Sequence, residues 1–108
     1  MIKSNYDLND FVKDIQDTFG VTVNGTAGPE TLYGTITLSS ILNNKHPSVY
    51  LIQRRLRALG YTEVGRIDGV AGFKFTSAVK HFQADNGCVV DGEITARDET
   101  WKKLLGMV

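Results

Sequence analysis

The apolar positions of this chain recur with a helical period in short runs, and each run is stopped by glycine. Phe75, Ala78, Val79 and Phe82 stand at offsets 0, 3, 4 and 7, which places four apolar side chains on one face of an α-helix. Asp68-Gly69 and Gly72 precede that run, and Gly87 follows it where a left-handed C-terminal residue is expected. Leu8, Phe11, Val12, Ile15 and Phe19 make a second stripe over Asp7 to Phe19, with Asp7 and Asp10 placed to satisfy its free amides and Gly20 to end it. A helix starting at Pro47 or Ser48 should bury Val49, Ile52, Leu56 and Leu59 before Gly60. Pro29 suits a first helical position, but Gly34 and the β-branched Thr35, Ile36 and Thr37 weaken the helix that would turn Leu32, Ile36 and Leu42 inward. A last helix is expected after Thr95, read as its N-cap with Asp98 at the third position, and inserts Trp101, Leu104 and Leu105. Val21-Thr22-Val23 is only a stub of strand, residues 43–46 are a connector, and residues 61–66 form a longer polar loop. The pattern predicts an all-α, compact bundle of about five short helices joined by Asp-Gly and Asn-Gly turns. Apolar packing should stabilise it, at roughly 1.5–3 kcal/mol per large buried side chain before entropy is subtracted.

The runs are also copies of one another. FVKDIQDTFGVTVNG, from Phe11 to Gly25, lies over AVKHFQADNGCVVDG, from Ala78 to Gly92, without a gap. Val, Lys, Gln, Gly, Val and Gly coincide, Ile15 faces Phe82, and Asn24 faces Asp91. A looser copy runs from Val49 to Gly69, where Gln53 takes the place of Gln16 and Gln83. Each unit is a helix carrying an apolar residue followed by Gln, a Gly stop, a short β-branched run, and an Asn-Gly or Asp-Gly turn into the next helix. Gln16, Gln53 and Gln83 therefore have two readings: an amide that pairs with a ligand, or one that holds the backbone of its own turn. Their fixed distance before each turn favours the second, and Asp68-Gly69 and Asp91-Gly92 read as turn residues in the same way.

Composition narrows the possible partners. Twelve basic and twelve acidic residues give no net charge, so the excess of Lys and Arg that marks a nucleic-acid or anionic-membrane surface is missing. Arg54, Arg55 and Arg57 are expected to cover a solvated helix face. No apolar run approaches the length of a membrane span, and the first residues, MIKSNYDLNDF, lack the apolar core of a secretory signal. Cys88 is the one cysteine, so no internal disulfide forms; within Cys88-Val89-Val90 it reads as a small buried hydrophobe. His46 and His81 have no partner at metal-ligand spacing, and the Asp-Gly turns lack the alternating acids of a calcium loop. Neither a metal nor a cofactor is expected, and the acids form no recognisable catalytic constellation.

As an ordered set, Ile52-Gln53, Leu56, Leu59-Gly60-Tyr61, Ile67-Asp68-Gly69, Gly72, Thr76, Ala78-Val79, Phe82-Gln83, Asn86-Gly87, Val90-Asp91-Gly92, Thr100-Trp101 and Leu104 resemble the peptidoglycan-binding domain appended to bacterial and phage cell-wall hydrolases. Phe11 to Thr31 looks like the second half of another copy. The resemblance implies a three-helix core at residues 47–108 with an N-terminal partial repeat, residues 1–46, packed on it. Two loops depart from the family's pattern: Ala96-Arg97-Asp98-Glu99-Thr100 replaces a Gly-Pro-x-Thr sequence, and Phe73 stands where Pro or a polar residue is common.

What the resemblance implies is a non-catalytic module that binds peptidoglycan and tethers a linked hydrolase, such as the amidase, muramidase or peptidase of an autolysin or endolysin, to its substrate. Its place would be extracellular or in the cell wall, as part of a larger protein or a phage protein released by lysis. The alternative is a helical protein-interaction or prodomain-like module that binds no carbohydrate. The related metalloproteinase prodomains use a cysteine in a Pro-Arg-Cys-Gly motif, whereas Cys88 lies in Asn-Gly-Cys-Val-Val. Ligand contact is expected from side chains the core does not need: Tyr61, Arg66, Phe73, Lys74, Asn86 and Arg97, which offer stacking faces, cations and an amide to sugars, peptides and carboxylates.

Overall fold

The computed structural model describes residues 6–107, and its regular structure is helical. Helices α1 (Leu8–Thr18), α2 (Pro29–Tyr33), α3 (Pro47–Ala58), α4 (Phe73–Asp85) and α5 (Glu99–Leu104) follow one another, with a single 3₁₀ turn at Thr62–Val64 between α3 and α4. The all-α class expected from the hydrophobic pattern is the one observed. Among the described residues the sole strand-like feature is an isolated antiparallel bridge between Leu38 and Ile94.

Each helix starts for a local reason. Asp7 caps α1 by accepting from the Asp10 amide, and Pro29 and Pro47 open α2 and α3 at positions where a missing N–H costs nothing. The cap of α3 is His46, whose Nδ1 accepts from the Ser48 amide at 3.1 Å while its ring stacks on Phe19, 5.3 Å away and tilted by 12°. Gly87, at φ 70°, takes the left-handed position just past α4. The expected N-cap of α5 is corrected: Asp98 caps it, not Thr95. Asp98 N–H bonds back to the Thr95 carbonyl and Arg97 takes a left-handed φ of 61°, so an extra turn separates Thr95 from the helix.

Helix α2 ends at Gly34, and the chain then runs without helix to His46. Leu42, expected to face inward, is therefore exposed, because the helical period that would have turned it inward does not extend that far. Leu59 is exposed as well, since it is the C-cap of α3 at the rim where Gly60 reverses the chain. Past Gly87 the run Cys88-Val89-Val90 leads outward. Cys88 is half-buried and Val89 is 79% exposed, so the expectation of a buried cysteine in an apolar run is corrected.

One core joins all five helices. Phe11 and Ile15 of α1, Ile52 of α3, Ala78 of α4 and Trp101 of α5 are fully enclosed together with Leu38 and Ile94. Trp101 Nε1 donates to the Ile36 carbonyl at 2.8 Å, which satisfies the polar end of the largest side chain in the core. Of the arginines expected on a solvated face, Arg57 is exposed, while Arg54 and Arg55 are half-buried. Arg55 donates to the Tyr6 carbonyl at 2.8 Å, Arg54 lies 3.9 Å over the Tyr6 ring, and Arg57 donates to the Gly65 carbonyl.

Candidate functional site

The glutamines shape the molecule's loops. Gln83 is buried, and its Oε1 accepts from the amides of Asp91 and Gly92 at 3.0 and 2.9 Å. Its Nε2 donates to Asp91 Oδ1, the Glu93 carbonyl and Thr100 Oγ1. Gln16 repeats the arrangement on Asn24, Gly25, Thr26 and Thr31. Gln53 repeats it on Asp68, Gly69 and Val70, while Thr76 instead donates to the Gly72 carbonyl. In each unit a buried amide thus satisfies the backbone of a turn whose glycine has a positive φ: 82° at Gly25, 78° at Gly69 and 75° at Gly92. At Gly92 the need is also steric, since a Cβ there would lie 2.7 Å from Thr76 Cγ2. The second and third turns each face the start of the next helix across a groove.

The middle groove has the chemistry of a binding site. Arg66, Phe73 and Lys74 line a cleft of about 180 Å³ whose inner wall is Gln53, Val64 and Phe75. Phe73 is 88% exposed at the first position of α4, so its ring is presented to solvent rather than to the core. Among the described residues neither Arg66 nor Lys74 is paired with a carboxylate. Asp68, beside them, stays ionised: the Val70 amide, the Gln53 amide and the nearby Arg66 hold its carboxyl below the usual range. The equivalent groove at the third turn has the opposite character, lined by Asp91, Glu93, Asp98 and Glu99. Of these two grooves it is the middle one in which an exposed aromatic ring and cations meet.

The other three residues expected to contact ligand lie elsewhere. Tyr61 donates to Asp85 at 2.8 Å and packs edge-on against His81 and Phe82, and burial with the Asp85 bond pushes its phenol up to about 12. The same cluster joins His81 Nδ1 to Glu63 at 2.6 Å, which raises the imidazole's pKa and lowers the carboxyl's, and fastens the 3₁₀ turn to α4. Asn86 is the C-cap of α4, and its side-chain amide donates to the Phe82 carbonyl at 2.8 Å. Arg97 lines a separate cleft with Tyr33 and Lys102, two residues that the sequence reading passed over. Among the described residues no group of three or more His, Cys, Asp or Glu is placed to hold a metal ion.

Neither the curated proteins nor the solved structures hold a significant match to this chain. A family model does match: the one described as "Putative peptidoglycan binding domain" aligns with residues 45–104. That stretch is more than half of the chain and contains α3, the Gln53 and Gln83 turns, the middle cleft and α5. With its ordered glycine turns and helical core inside the matched region, the chain belongs to the peptidoglycan binding domain family.

Proposed function

We propose that this chain binds peptidoglycan through the middle cleft and acts, without chemistry of its own, as the wall-targeting part of a cell-wall hydrolase. The observation that carries the reading is the meeting of Phe73, Arg66 and Lys74 at a turn made rigid by Gln53. An exposed ring offers a stacking face to a sugar or an aliphatic side chain, and two cations that form no ion pair among the described residues attract the free carboxylates of the polymer. The rigid turn limits the ordering cost of binding. A linked amidase, muramidase or peptidase would gain local substrate concentration from even a weak contact. Its working place is then the cell wall, outside the cytoplasm.

Co-sedimentation with insoluble purified peptidoglycan tests the reading, with chitin and cellulose as controls and turbidity followed in the same tube. The chain should pellet with peptidoglycan alone and leave the suspension turbid. Phe73→Ala and the pair Arg66→Ala with Lys74→Ala should each weaken pelleting by about tenfold, corresponding to roughly 1.4 kcal/mol for the loss of a ring or a cation pair from a binding centre. A wild-type chain that stays in the supernatant would sink the proposal and turn the search to protein partners, as for a prodomain-like module.

A further inference from the structure

The seam between α2 and α5 holds a cleft of about 370 Å³, twice the volume of the middle one and sharing no lining residue with it. Its walls are Pro29, Leu32, Tyr33, Arg97, Lys102 and Met107. Two cations and no acid line it, and among the described residues neither Arg97 nor Lys102 is paired with a carboxylate. Tyr33 is 75% exposed at the end of α2, beside Leu32 and Met107, so the cleft has a flat apolar side as well as a charged one.

Arg97 adds a second, independent observation. Its φ of 61° lies in the left-handed region, which glycine enters freely and an arginine does not. The backbone is held there by two hydroxyls from the opposite half of the chain, with Thr35 Oγ1 accepting from the Arg97 amide at 2.9 Å and Thr37 Oγ1 from the Ala96 amide at 3.0 Å. A long cationic side chain thus stands at a backbone position that favours glycine and lines a cleft with a second cation.

We propose that this cleft is a second ligand site that takes a carboxylate borne on a sugar ring, with the ring on Tyr33 and the carboxylate between Arg97 and Lys102. The assignment rests on the peptidoglycan reading only for its natural source, the lactyl carboxylate of N-acetylmuramic acid. In the polymer that carboxylate is free only where the stem peptide has been cut from the sugar, so the cleft favours stripped glycan. Together with the middle cleft it gives the chain two contacts with one polymer, and the second adds avidity to the first.

The test is an NMR titration of the full chain with N-acetylmuramic acid, N-acetylglucosamine and D-alanyl-D-alanine in parallel. N-acetylmuramic acid should give saturable shifts at Tyr33, Lys102 and the Met107 methyl, and uncharged N-acetylglucosamine should give none at the same concentrations. Tyr33→Ala, Lys102→Ala and Arg97→Gly should each weaken that binding about tenfold, while Val89→Ala, at an exposed position outside both clefts, should leave it unchanged. Arg97→Gly is a variant the backbone accepts, so its spectrum also checks that the fold survives. No saturable shift at these residues, equal shifts with the uncharged sugar, or a response to the dipeptide alone would each overturn the assignment. Because the titration is in solution, failure of wild-type chain to pellet with peptidoglycan defeats the targeting role without deciding this site, and a flat titration defeats this site without touching the middle cleft.

Discussion

A buried glutamine that closes a turn is costly to replace, because both ends of its amide are in use. Gln83 is 1% exposed, accepts from Asp91 and Gly92, and donates toward the Asp91 carboxylate. Gln83→Glu keeps the shape and the acceptor but turns a second carboxylate toward Asp91 from a side chain that is itself buried. Its folded-state pKa is therefore raised, by burial and by the like charge. A group whose pKa is raised on folding contributes stability that is present below its unfolded pKa and is lost as the pH rises through the folded value. Relative to the wild type, Q83E should be close in stability near about pH 4 and weaker by roughly 3 kcal/mol near about pH 7, read from denaturant unfolding at the two pH values. A pH-independent deficit would show that the introduced carboxyl has the same pKa folded and unfolded, and would sink this reading. The spacing of the three glutamines was legible because the unit repeats. Tyr33 and Lys102 had no such marker: they meet across the seam between segments far apart in sequence, and no repeat brings one to predict the other.

At the scale of elements, the helix starts were legible where one residue decides them, as at Asp7, Pro29 and Pro47. They were not legible where a distant partner decides. The chain after α2 was read through its β-branched residues as a weak helix, yet Leu38 pairs with Ile94 and the Thr35 and Thr37 hydroxyls hold the loop before α5. The Leu38–Ile94 bridge and the Trp101 indole, which donates to the Ile36 carbonyl, give this segment's backbone partners that a helix would otherwise supply. The start of α3 makes a prediction of its own, because its cap titrates. Burial lowers the pKa of His46 from 6.5, and its Nδ1 can accept the Ser48 amide only when unprotonated. A lowered folded-state pKa means that the cap's contribution is present above pH 6.5 and is lost as the pH falls through the folded value. His81 works in the opposite sense, since Glu63 raises its pKa and its contribution fades as the pH rises above 6.5. His46→Asn retains a cap acceptor that does not titrate, so thermal melts of variant and wild type should diverge as the medium is acidified. The gap should grow to about 1 kcal/mol in favour of the variant, the usual worth of an N-cap. Parallel curves would mean that the Phe19 stack, not the cap, is what His46 contributes.

For the whole molecule, the expected division at residue 46 meets a single shared core. Phe11, Ile15 and Leu38 on one side and Ile52, Ile94 and Trp101 on the other are all 0% exposed within it. The seam is polar as well as apolar. Trp101 Nε1 has the Ile36 carbonyl as its acceptor, and the Ala96 and Arg97 amides have the threonine hydroxyls. A piece containing residues 47–108 alone would expose the apolar surface that these side chains cover and leave the indole N–H and both loop amides without their protein partners. The loop at residues 96–100, which lacks the Gly-Pro of the family's pattern, would also lose the contacts that keep Arg97 in its left-handed turn. Each fully buried large side chain is worth roughly 1.5–3 kcal/mol, so uncovering several of them removes an amount comparable with the about 5–15 kcal/mol that holds a domain of this size folded. The piece should therefore show helical circular dichroism without a cooperative melt, and should regain the melt when residues 1–46 are supplied as a separate chain. A piece that melts cooperatively at the temperature of the full chain would mean that the N-terminal segment is an addition to a self-sufficient module. In that case the seam would still form the second cleft, but it would have no part in holding the first one in shape.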